Sequence, residues 1–78
     1  GKLKQAQDYL AEVLQVAENN QDKCSRAYTK RSLARLEKKL GNLNVAKRWV
    51  HEAVNEFETL GMKPEARETQ ALIQAIEP

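Results

Sequence analysis

Apolar residues return at steps of three and four along most of this chain. That is the period of one helix face, not the alternation of a half-buried strand. The clearest stripe runs Leu43, Ala46, Val50, Ala53, Val54, Phe57 and Leu60. An earlier one runs Leu3, Ala6, Leu10, Val13, Leu14 and Ala17, and the polar stretch Asn19-Asn20-Gln21-Asp22 breaks it. Two further stripes follow, Thr29, Leu33, Leu36 and Leu40, then Thr69, Leu72, Ile73 and Ile76. The punctuation agrees with this division. Gly41 and Gly61 can each end a helix in the left-handed conformation, Asp22 and Asn44 are candidate N-caps, and Pro64 suits a first helical turn. The pattern predicts four helices, at about 3–19, 23–40, 43–60 and 64–77. Their short connections make neighbours antiparallel.

The pattern also repeats. Laying residues 1–36 over 41–76 without gaps matches Gly1 with Gly41, Leu3 with Leu43, Ala6 with Ala46, Glu12 with Glu52 and Glu18 with Glu58. Lys23 with Lys63 and Thr29 with Thr69 complete the identities. Tyr9/Trp49, Leu10/Val50, Val13/Ala53, Leu14/Val54, Leu33/Ile73 and Leu36/Ile76 keep apolar character. Two helices therefore make one period, and two tandem hairpins make the chain.

Composition narrows the class. At 78 residues one small domain is the ceiling, and 41% hydrophobic with 31% charged residues fits a folded chain. Ala, Leu, Glu, Lys, Gln and Arg abound, which argues for an all-α fold. The lone cysteine, Cys24, excludes an internal disulfide and any Cys-based zinc site, and fits a reducing compartment. Without a long apolar run or a secretory-leader pattern, the expected location is cytoplasmic or nuclear, with no membrane partner. One His, no phosphate loop, no HExxH and no GxSxG leave catalysis, metal and cofactor binding without a constellation, so the chain is not expected to be an enzyme. Cys24 reads as a packed structural thiol, and His51 as a helix-face residue. Trp49, Phe57 and Tyr9 read as fillers between hairpins.

Leu40-Gly41-Asn42-Leu43-x-x-Ala46-x-x-x-Val50-x-x-Ala53 resembles the turn and second helix of a tetratricopeptide repeat. Phe57-x-x-Leu60-Gly61 and Pro64-Glu65-Ala66 resemble its longer variant of about 40 residues. Leu33-Ala34 stands where the family has its Leu-Gly pair, while Lys30 replaces its Trp, Glu37 its Tyr and Glu58 its Pro. The resemblance implies antiparallel hairpins stacked as a right-handed α-solenoid. The chain would supply a second helix, one complete repeat and the first helix of another. Hairpins of this kind gain stability by stacking, so the chain is expected to be an excerpt of a longer array or to self-associate through its uncapped ends.

Charge is segmented although the net is only +2. Residues 1–20 hold two positive and three negative groups, residues 21–50 nine and two, and residues 51–78 two and six. On the helix at 23–40, Tyr28, Arg31, Arg35, Lys38 and Lys39 share one sector, away from the apolar stripe. The resemblance implies that the first helix of each repeat lines a groove, which places Tyr28, Arg31, Ser32, Arg35, Lys38 and Lys39 on that lining, with Leu72 and Ala75 of the last helix fixing register. Arg supplies a planar fork for a carboxylate or phosphate, and Lys a point charge. The expected partner is a protein or peptide with acidic, phosphorylated or chain-terminal carboxylate groups. A solvated face whose charges pair with Glu52, Glu56 or Glu68 is the competing reading. A regulatory or sensory segment of a larger regulator or enzyme is the alternative function. Nucleic-acid binding through the basic helix ranks last, because the acidic tail and the scarcity of aromatics count against it.

Overall fold

The computed structural model describes residues 1–76 as α1 (Lys2–Asn19), α2 (Lys23–Lys39), α3 (Leu43–Thr59), α4 (Lys63–Gln70) and α5 (Leu72–Ile76). No strand occurs among the described residues. The first three helices match their expected spans to within a residue or so. The fourth differs: Ala71 interrupts it, and the Gln74 N–H bonds the Ala71 carbonyl three residues back, at 3.2 Å. This tightened turn re-aims the residues that follow, and Ile76 is buried against Ala34, Ala46 and Val50. Residue 77, the end of the expected helix, lies outside the described residues.

The three long turns are built alike. In each, the residue at position 21, 41 or 61 takes a positive φ, +55° at Gln21, +83° at Gly41 and +76° at Gly61. Its N–H bonds the carbonyl three back, and the next N–H reaches the carbonyl five back: Asp22 to Ala17 at 2.8 Å, Asn42 to Glu37 at 2.9 Å and Met62 to Phe57 at 2.8 Å. This double bond satisfies carbonyls that the helix end would leave open. A Cβ at Gly41 or Gly61 would meet nothing within 4 Å, so the backbone angle, not space, favours glycine there. Gln21 holds the same angle with a side chain. Gln21→Gly is therefore expected to stabilise the domain by about 0.5–1 kcal/mol, read as a higher urea midpoint. An unchanged or lower midpoint would show that Gln21 is unstrained.

Capping divides as unevenly. Asp22 caps α2 as expected, accepting from the Ser25 N–H at 3.1 Å and the Ser25 hydroxyl at 2.7 Å. These two bonds hold its carboxyl below the usual range. Asn44 is not a cap, because Asn42 occupies that position directly after Gly41. Its side chain turns back instead, donating to Glu37 at 2.8 Å. Gln7 donates to the other oxygen of Glu37 at 3.0 Å, so this buried carboxylate ties α1 and the α2–α3 turn to α2.

Packing follows chain order, α1 on α2, α2 on α3, and α3 on α4 and α5, in a slab of 33 × 29 × 15 Å. Arg26 pairs with Glu56 and Lys30 with Glu52, each pair equally far on either side of Gly41, so α2 and α3 are antiparallel. Alanines at Ala27, Ala34, Ala46 and Ala53 are buried along their contact and let the backbones approach. Phe57 and Val50 fill the space between them. Thr29 and Thr69, equivalent under the 40-residue period, are both buried, and each hydroxyl donates to the carbonyl four residues back at 2.7 Å.

Three expectations fail on burial. Tyr9 is 65% exposed and fills no gap, because α1 has α2 on one side only, and Leu3 and Val16 on α1 are exposed with it. Cys24 is exposed, one residue into α2 on its outer side, and is not a packed thiol. Ala75 is exposed and does not contribute to register.

Candidate functional site

The residues of interest lie along α2 on the side that faces α4 and α5. Arg31 approaches Glu68 of α4, and one turn later Ala34 packs in the cluster that holds Leu72 and Ile76 of α5, with Arg35 and Lys38 lining the same cavity as those two. Both sides advance together, so α2 and α4–α5 run in the same direction across α3. Side chains bridge the furrow between them.

At one end the site is aromatic and cationic. The Tyr28 ring meets Phe57 of α3 edge-on, with centroids 5.1 Å apart and planes at 77°. The Arg31 guanidinium lies 4.9 Å from the Tyr28 centroid and 5.6 Å from that of Phe57. Such contacts contribute about 0.5–2 kcal/mol each, more as water is excluded. Tyr28 remains 37% exposed, whereas the Arg31 side chain is only 17% exposed. The Arg31 Nε is buried without a hydrogen-bond acceptor among the described residues. Leaving such a donor unpaired costs about 1–3 kcal/mol. The carboxylate nearest to it belongs to Glu68, 3.8 Å from Nη1, beyond hydrogen-bond length, on a side chain that is 71% exposed.

At the other end a cavity of about 350 Å³ is lined by Ala34, Arg35, Lys38, Lys39, Leu72 and Ile76. Its floor is apolar and its rim carries three cations. Arg35, Lys38 and Lys39 are exposed and form no ion pair among the described residues. Ser32 is half-buried on the same helix, between the two ends.

The acids of α3 are occupied elsewhere. Glu56 accepts from both Arg26 and Lys30, and Glu52 accepts from Lys30 at 2.8 Å. Burial alone would lower the Lys30 ammonium, whose side chain is only 13% exposed. The hydrogen bonds and charges of Glu52 and Glu56 outweigh it and hold the group above the ordinary lysine value of 10.5. Glu52 and Glu56 are thus matched to Lys30 and Arg26, and the furrow cations are not neutralised by them.

Six of the seven residues singled out from sequence fall into two groups, Tyr28 with Arg31, and Arg35, Lys38 and Lys39 with Leu72. Ser32 is the seventh and lies between them. Phe57 is placed by the sequence on the apolar stripe of α3 and as a filler between hairpins. It is both a fully buried core ring and the surface on which Tyr28 and Arg31 rest. The i, i+3 spacing of Tyr28 and Arg31 signals that those two share a face, but no local signal brings in Phe57 from another helix. Of the three acids that the competing reading names as partners for this face, Glu68 is the one that sits beside a furrow cation, Arg31. No family model, curated protein or solved structure matches this chain.

Proposed function

We propose that this chain is a protein-interaction module of the tetratricopeptide-like kind, with hairpins stacked as a right-handed solenoid, and that the furrow between α2 and α4–α5 receives a partner segment carrying an apolar side chain and an acidic group. The observation that supports this most directly is the α2–α5 cavity, an apolar floor under three exposed cations without acidic partners among the described residues. A solvated face would be expected to show its cations paired with neighbouring acids or spread over a polar surface. Here they surround Ala34, Leu72 and Ile76. From Arg31 to Lys38 the helix rises about 10 Å, a distance spanned by roughly three residues of an extended peptide. The occupant is therefore a short stretch in which an apolar residue and a carboxylate stand about three residues apart.

The test leaves the half-buried Arg31 alone. Arg35→Glu with Lys38→Glu changes two exposed side chains and is expected to leave the helical spectrum intact. It should weaken binding of an acidic, apolar probe peptide several-fold, with the loss shrinking as salt is raised. Equal affinity of native and reversed chains in calorimetry would take the cavity out of the account. A comparable, salt-steep loss with a nucleic-acid probe would favour a phosphate backbone as the ligand instead.

A further inference from the structure

We infer that Glu68 is a built-in competitor for the furrow, an exposed side chain of α4 standing where a partner's carboxylate would bind the Arg31 guanidinium. The inference rests on the groove reading above and adds to it the identity of the anchoring cation and an internal brake on it.

Arg31 is unlike the furrow cations that follow it on this helix. Arg35, Lys38 and Lys39 stand in solvent, whereas the Arg31 guanidinium is fixed against two rings and largely removed from water. A fork held in this way loses little freedom when an anion arrives, and its charge acts through a poorly solvated environment. It is also underused. Nε has no acceptor among the described residues, and the approach of Glu68 to Nη1 at 3.8 Å is an ion pair without a hydrogen bond. A structural ion pair that had settled would close to hydrogen-bond length and use both prongs of the guanidinium. Glu68 does neither, and its exposure leaves it free to swing into water. The chemistry of the occupant follows from the same contact, since the group already drawn to Arg31 is a carboxylate. A ligand carboxylate that takes both prongs replaces a long contact with a bidentate one and releases Glu68 to solvent.

The experiment uses the whole 78-residue chain and three acetyl-capped pentapeptides, each with one leucine. One carries a glutamate side chain and an amidated end, one a free terminal carboxylate and no acidic side chain, and one neither. Binding is followed through the Arg31 Nε–Hε resonance in native and Glu68→Gln proteins. Removing the competitor should tighten at least one carboxylate-bearing peptide about two- to five-fold, the scale of an exposed ion pair, leave the neutral peptide unchanged and move the Arg31 resonance. Which peptide gains distinguishes a side-chain from a terminal carboxylate. Arg31→Lys in the Glu68→Gln background keeps the charge, loses the fork, and should remove the gain.

If the acidic peptides bind but Glu68→Gln changes nothing and the Arg31 resonance stays still, the competitor is refuted while the groove survives. If neither acidic peptide binds either protein, the groove reading falls and takes this inference with it.

Discussion

Phe57→Ala is expected to abolish the cooperative thermal transition of this domain at room temperature. Phe57 is fully buried where α2, α3 and α4 meet, among Ala27, Ala53 and Ala66, and it is the largest fully buried side chain among the described residues. The surrounding alanines cannot move in to fill the space, so truncation leaves both the lost transfer energy and a cavity. Together these cost about 3–5 kcal/mol. A core of this size rarely nets more than about 3–5 kcal/mol in total, so the loss equals the stability available. The same change removes the surface under Tyr28 and Arg31, so the furrow loses its aromatic end even in molecules that stay folded. Circular dichroism on heating checks the result. A sharp transition retained with less than about 1.5 kcal/mol lost would mean that the α2–α3–α4 junction is not the centre of stability. Phe57→Leu keeps most of the volume and should fold with a lowered midpoint.

Lys30→Glu comes next in expected size. It places a third carboxylate against Glu52 and Glu56 in a part-buried pocket where Arg26 is the cation left, on Glu56. Removing one partner of a buried pair costs about 3–5 kcal/mol; Lys30→Met falls toward the lower end, because it keeps an apolar stem and Arg26 stays on Glu56, while Lys30→Glu adds the repulsion of a third carboxylate to that loss. Urea denaturation of the two variants checks the difference. Equal losses would mean that packing of the lysine stem, not charge matching, holds α2 to α3. The native pair also predicts an alkaline limb. Since Lys30 is held above 10.5 in the folded chain, the folded state binds this proton more tightly than the unfolded one. Its stabilisation is complete below the unfolded lysine value and is lost as pH rises through the folded one. Stability should therefore fall above about pH 10.4, and fall less in Lys30→Met.

Lys30 also shows why part of the site escaped a reading of the chain alone. Within α2 it is simply one more cation. Only the antiparallel register of α2 on α3 brings Glu52 and Glu56 to it and so separates the cations that are matched from those that are not. Glu37 is similar: an acid among basic residues in the sequence, it is buried in the structure because Gln7 and Asn42, from two other segments, both donate to it.

Helix positions, turns and the internal period are local properties. A three- and four-residue spacing of apolar side chains, a glycine able to take a positive φ and a carboxylate before the first turn act within a few residues, and the chain alone determined them. Where local signals were balanced they misled by small amounts, with Asn42 rather than Asn44 at the N-cap position of α3 and Ala71 interrupting the last helix. The furrow was settled differently. Its cations are on one helix, its apolar floor is shared by two, and the ring beneath Arg31 comes from a third. Which charges stay unmatched depends on distances between helices, and those are set by how the alanines of α2 and α3 let the backbones close together. Periodicity within a helix shows which face a residue takes; only packing decides what that face meets.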